Sequence, residues 1–97
     1  MEREFDRVLF SRHAVERMFA RDLHKDDVLQ VIRTGDVIAE YPDDSPYPSC
    51  LLLGFVHSDP VHVVLATDTQ TDTGIVVTAY RPEPEVWNDD FRTRRQA

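Results

Sequence analysis

The stretch Phe10-Ser11-Arg12-His13-Ala14-Val15-Glu16-Arg17-Met18-Phe19-Ala20-Arg21 decides how the rest of this chain is read. Residues four apart stack along one face of a helix, so His13, Arg17 and Arg21 form a polar row beside an apolar row of Ala14 and Met18. A helix built this way docks its apolar row on a core and presents an imidazole beside cations. Ser11 fits the N-cap, where its hydroxyl can accept from an unpaired amide of the first turn, and the helix is expected over about residues 12–21. Upstream, Val8-Leu9-Phe10 fits either a short strand or an apolar lead-in packed against the helix.

Downstream, Asp22-Leu23-His24 makes a turn with Leu23 tucked under. A second helix follows, with Asp26 and Asp27 in its first turn, Val28, Val31 and Ile32 facing inward, and Gly35 as a left-handed stop. From there the pattern changes to strands over residues 37–41, 50–56, 61–66 and 75–80, separated by turn-rich stretches, the first holding Pro42, Pro46 and Pro48. Their nearly continuous apolarity suggests cover on both faces. The fold class expected is α+β, a helical hairpin at the amino end packed on an antiparallel four-stranded sheet, in the order ααββββ. One domain is expected over residues 1–97, with its core in 8–91. A short turn over 85–91 seats Trp87 and Phe91 on the body, and residues 92–97, with Arg92, Arg94 and Arg95, form a flexible solubilising tail.

With 97 residues the chain can bury one modest core. No apolar run nears the roughly 20 residues of a membrane span, and the charged opening Met1-Glu2-Arg3-Glu4 is unlike a secretory signal. A soluble, cytoplasmic protein without membrane contact is expected. The net charge is −7, and residues 35–80 carry seven acids with no Lys or Arg, whereas acids and bases balance on either side. A field of that sign repels nucleic acid. RNA binding must then rest on a local cationic patch, for which the first helix, Arg81 and the closing segment are the candidates. Cys50 reads as a small buried apolar residue. The four histidines and this cysteine show none of the paired short spacings of metal sites, so neither metal nor other cofactor is expected.

His62 is a polar ring in an apolar strand and must find a partner. On strand alternation it shares a face with Val64 and Ala66. The same alternation puts Val76, Thr78 and Tyr80 together on the last strand, with Arg81 following. Each residue taken singly has a plain reading: a satisfied structural histidine, ordinary strand formers, a solvated helix face. Convergence of the helical row with the strand ends is what turns them into a site.

Four spaced motifs, Phe10-Ser-x-His13-Ala-x-Glu16-Arg17-Met18-x-x-Arg21, Gly35-Asp-Val-Ile-x-Glu40-Tyr41-Pro42-Asp-Asp-x-Pro46-Tyr47, Pro60-Val-His62-Val-Val and Val77-Thr78-x-Tyr80-Arg81-Pro82, resemble the small bacterial family catalogued as domain of unknown function 4258. The likeness covers about residues 8–91. More distantly the family is similar to the RelE-like ribonuclease toxins of type II toxin–antitoxin systems. That resemblance implies a toxin-like fold, an RNA substrate cleaved without metal, and an antitoxin or a second copy of the chain as protein partner. The positions it singles out are His13, Arg17, His62, Thr78, Tyr80 and Arg81.

Metal-free RNA cleavage needs a base for the 2′-hydroxyl, cations for the charge on the phosphorane, and an acid for the departing 5′ oxygen. Histidine suits either proton role near neutral pH, and the arginine fork matches phosphate oxygens. The expected catalytic set is His13, Arg17, His62 and Tyr80, with His13 and His62 moving protons and Tyr80 orienting or donating. Arg21, Thr78 and Arg81 are expected to hold the substrate. A non-catalytic protein-binding or regulatory module with the same fold is the alternative.

Overall fold

The computed structural model describes residues 3–96. Its elements run β1 (Arg7–Phe10), α1 (Arg12–Ala20), α2 (Lys25–Thr34), β2 (Asp36–Tyr41), β3 (Ser49–Val56), β4 (Asp59–Asp68) and β5 (Thr73–Tyr80). The strands form one mixed five-stranded sheet in the order β1-β5-β4-β3-β2. β1 runs parallel to β5, and the other pairings are antiparallel. This overturns the expected ααββββ arrangement: a strand precedes the helices, so the sheet is neither four-stranded nor purely antiparallel, and the RelE-like layout expected with it falls too. The cause is visible in the first strand, where Val8 and Phe10 pack on the core while Leu9 points outward. In so short an apolar run that alternation is masked.

Ser11 turns β1 into α1 without breaking the ladder. Its amide donates to the Val76 carbonyl at 3.0 Å, its hydroxyl donates to the Val77 carbonyl at 2.8 Å, and the same hydroxyl accepts from the Ala14 amide at 3.0 Å. One residue thus ends a strand and caps a helix. α1 packs on β5, and α2 packs on β3 and β4. Ala14, Met18, Val28, Val31 and Ile32 meet Leu52, Val63, Leu65, Val76 and Ala79 in one core. Gly35 is not the left-handed stop expected, since its φ is −72°. Glycine is there for space: a Cβ would stand 2.6 Å from the Val31 carbonyl oxygen and 2.8 Å from that of Leu53.

Two register shifts decide what the other face of the sheet displays. Between β4 and β5, Val64 pairs with Thr78 but Leu65 with Val76, leaving Val77 as an extra residue. Between β2 and β3, Val37 pairs with Leu52 but Ala39 with Leu51, leaving Ile38 extra. Each bulge flips the residues beyond it to the opposite face. Val76 therefore joins the helix-side core while Thr78 and Tyr80 face away from it, correcting the simple alternation that grouped all three. Tyr41 is turned to that same far face.

The far face has a cover of its own. Residues 83–95 fold back as a small hairpin in which Trp87 pairs with Arg94, the Asn88 amide donates to the Thr93 carbonyl, and the Arg95 amide donates to that of Val86. Arg92 pairs with Asp36 on β2, and the Arg95 guanidinium donates to the Pro84 carbonyl at 2.6 Å. The expected flexible tail is thus tied down through residue 95, and Ala97 lies outside the described residues. Among the described residues no helix is long and apolar enough to cross a membrane.

Candidate functional site

β1 pairs with β5 only as far as Val76, which leaves residues 77–80 without a strand neighbour on that side. α1 packs on β5, and Arg17 and Arg21, one turn apart, reach a cleft on the far face. The cleft encloses about 330 Å³, within the range of small-ligand sites. Tyr80 and Leu51 line it from the sheet, Tyr41 from the end of β2, Arg81 and Glu83 from the chain leaving β5, and Trp87 and Arg94 from the hairpin.

Four guanidinium groups and one carboxylate, Glu83, thus share a small volume in a protein of net charge −7. Among the described residues Arg17, Arg21 and Arg94 have no carboxylate within ion-pair distance, and the Arg94 guanidinium lies over the Trp87 ring at 5.8 Å from its centroid. Arg81 is held from behind. Its Nε donates to the Arg21 carbonyl at 3.5 Å, and its Nη1 stands 3.8 Å from the Asp59 carboxylate. Three buried polar atoms in this region have no hydrogen-bond partner: Arg17 Nε, Arg81 Nη1 and Thr78 Oγ1. Buried polar groups are ordinarily paired, and Arg17 and Arg81 line the cleft, so their nitrogens without a hydrogen bond point to an anion or water there.

Behind the cleft, His62 is fully buried on β4, edge-on to the rings of Tyr80 and Trp87. Its Nε2 stands 2.7 Å from the Phe91 carbonyl oxygen and its Nδ1 3.2 Å from the Tyr80 hydroxyl. A carbonyl can only accept, so Nε2 carries the proton, and in the neutral ring Nδ1 accepts from Tyr80. Burial pushes the His62 pKa below its usual value, an effect that the bond to the Phe91 carbonyl partly offsets. Burial also raises the Tyr80 phenol, the neighbouring Tyr41 adds to this, and Arg94 and Arg17 work against it. Tyr80 is accordingly a protonated phenol with cations at hand.

The residues singled out from the sequence separate here. Arg17, Arg21, Tyr80 and Arg81 come together at the cleft; His62 stands behind it with both ring nitrogens engaged, and Thr78 lies two residues before Tyr80 on the same face. His13 is exposed one turn before Arg17 and is outside the lining. Tyr41, Glu83 and Trp87 were missed, the first because only the bulge at Ile38 turns it inward, and Arg94 was expected only as part of a cationic closing segment. Cys50 is half-buried against the core, and burial pushes its thiol pKa up. Among the described residues no group of three or more His, Cys, Asp or Glu side chains is placed to hold a metal ion.

The family model described as Domain of unknown function (DUF4258) matches residues 10–81. The chain belongs to this family. No curated protein and no solved structure matches it. The DUF4258 span holds α1, Tyr41, His62, Tyr80 and Arg81, and it ends before the hairpin that adds Trp87 and Arg94.

Proposed function

We propose that the cleft binds an RNA phosphodiester and cleaves it by attack of the 2′-hydroxyl, as a toxin-type endoribonuclease. The observation that carries this reading is the gathering of Arg17, Arg21, Arg81 and Arg94 around the Tyr80 phenol, with Arg17 Nε buried and without a hydrogen bond or an ion pair among the described residues. In this reading a base takes the 2′ proton and O2′ bonds to phosphorus. The bond from phosphorus to the 5′ oxygen breaks, and Tyr80, turning its hydroxyl proton from His62 Nδ1 to that oxygen, protonates it, leaving a 2′,3′-cyclic phosphate and a 5′-hydroxyl.

Arg17 and Arg81 neutralise the charge on the phosphorane. Glu83 is the carboxylate of the lining and takes the base role, while His13 stands one turn outside it. His62 acts through Tyr80, fixing the phenol rather than touching substrate. The toxin role carries with it an antitoxin or a second copy of the chain as partner, and residence in the cytoplasm. A non-catalytic protein-binding module is the second reading, favoured by Phe19, 89% exposed on the outward side of α1, with Val15 one turn before it.

The test is incubation of purified protein with single-stranded RNA in chelator. Wild type is expected to leave 2′,3′-cyclic ends. Arg17→Ala and Tyr80→Phe, both folded by circular dichroism, are expected to lose on the order of 10²–10³ in rate. No cutting by wild type, or undiminished cutting by both variants, overturns the catalytic reading.

A further inference from the structure

We propose that Tyr41 is a nucleobase platform at the rim of the cleft, so that the ligand is single-stranded RNA held with its phosphate on the arginines and one base stacked on this ring. The inference rests on the RNA-binding reading of the cleft and adds which residue holds the base of that strand.

Three aromatic rings line the cleft, and their surroundings differ. Trp87 is 9% exposed, with His62 against its ring and Arg94 over it. Tyr80 is hydrogen-bonded to His62 and half-buried. Tyr41 is 39% exposed, and no side-chain hydrogen bond, ion pair or ring contact among the described residues occupies its ring. It is also there by construction of the sheet. Without the extra residue at Ile38, Tyr41 would share the helix-side face with Val37; with it, the residue turns to the face of the cleft that Tyr80 also lines.

An open aromatic face beside a cluster of guanidiniums is the combination that holds single-stranded nucleic acid, since every base has a face to stack and every linkage a charge to neutralise. Bases in a duplex are already stacked on each other, and the A-form helix hides them from such a ring. The overall charge of −7 works against long tracts of backbone and favours a short contact of one or two nucleotides.

The experiment measures affinity by fluorescence anisotropy, using a 2′-O-methyl oligonucleotide that cannot be cut, its abasic counterpart of equal length, and a duplex. Wild type is expected to bind the base-bearing strand best. Tyr41→Ala is expected to weaken that strand by between about fivefold and about 150-fold, the range for one stacked base, and to leave the abasic strand unchanged. Tyr41→Phe keeps the ring and is expected to restore the affinity. Equal affinity of wild type and Tyr41→Ala for the base-bearing strand, or preference for the duplex, overturns the platform. If wild type binds neither strand, the RNA-binding reading has failed and the platform falls with it. If Arg17→Ala weakens both strands while Tyr41→Ala weakens neither, the platform alone is wrong.

Discussion

His62 and Val63 are consecutive residues of β4, both with 0% exposure, and they face different layers. Val63 pairs with Ala79 and sits among the aliphatic side chains of α2, β3 and β5. His62 pairs with Tyr80 and sits between two aromatic rings and a backbone carbonyl. One side of the sheet is closed by packing alone; the other is closed by groups that must each be paired, and among the described residues three of their polar atoms lack a hydrogen bond. Unspent hydrogen-bonding capacity, concentrated on one face, is what distinguishes a site from a core.

The comparison breaks first on the packed side. Changing Leu52, fully buried in the core on the helix side of β3, to Ala is expected to cost about 2–5 kcal/mol, because the lost transfer free energy adds to that of the cavity left behind. Chemical denaturation checks this, read as a lower midpoint at unchanged slope. A cost under about 1 kcal/mol would mean that the helix layer is loose and that the two faces differ less than their composition suggests.

The helix side was legible in the sequence and the far side largely was not. Ala14, Met18, Val28, Val31 and Ile32 repeat at helical spacing, and Ser11 announces its cap, so both helices and their inward faces follow from local pattern. β1 does not, because Val8-Leu9-Phe10 pairs with residues 74–76, far along the chain, and carries no period long enough to identify. The bulges at Ile38 and Val77 are invisible for a related reason: a one-residue shift depends on the partner strand, and it alone decides whether Tyr41 and Thr78 face the core or the cleft. Arg92, Arg94 and Arg95 read as a solvated tail because charge near a chain end usually is one. The bonds that hold them go to the carbonyls and carboxylates of other segments, which composition does not register. Glu83 passed unnoticed between two prolines.

A second test uses pH. His62 is kept neutral by burial, with a folded pKa below the ordinary value near 6.5. Between the two values the unfolded chain binds the extra proton, so stability rises with pH there. The contribution is complete above about 6.5 and is lost as pH falls toward the folded value. The slope for one proton is at most about 1.4 kcal/mol per pH unit. His62→Gln keeps a donor for the Phe91 carbonyl and an acceptor for Tyr80 but takes up no proton, and its urea midpoint is expected to hold steady over that window where wild type falls. Parallel pH curves for the two proteins would move the acid sensitivity to another group and leave the far face as inert as the core.

The smallest effect is also the most pointed. Thr78 Oγ1 is buried without a partner, a state that costs the folded protein on the order of 1–3 kcal/mol in lost hydration. Val has nearly the same shape and no hydroxyl, so Thr78→Val is expected to raise stability by about 1 kcal/mol in urea titration. A residue that only packed would then be better as Val in every respect. If the hydroxyl instead serves the cleft, the same change is expected to weaken oligonucleotide binding by several-fold, since a polar group at a ligand is worth about as much as a modest hydrogen bond. Gain in stability with loss in affinity places Thr78 with Tyr80 and Arg81, while gain in stability with unchanged affinity assigns it to the sheet and shrinks the site to the residues that line it.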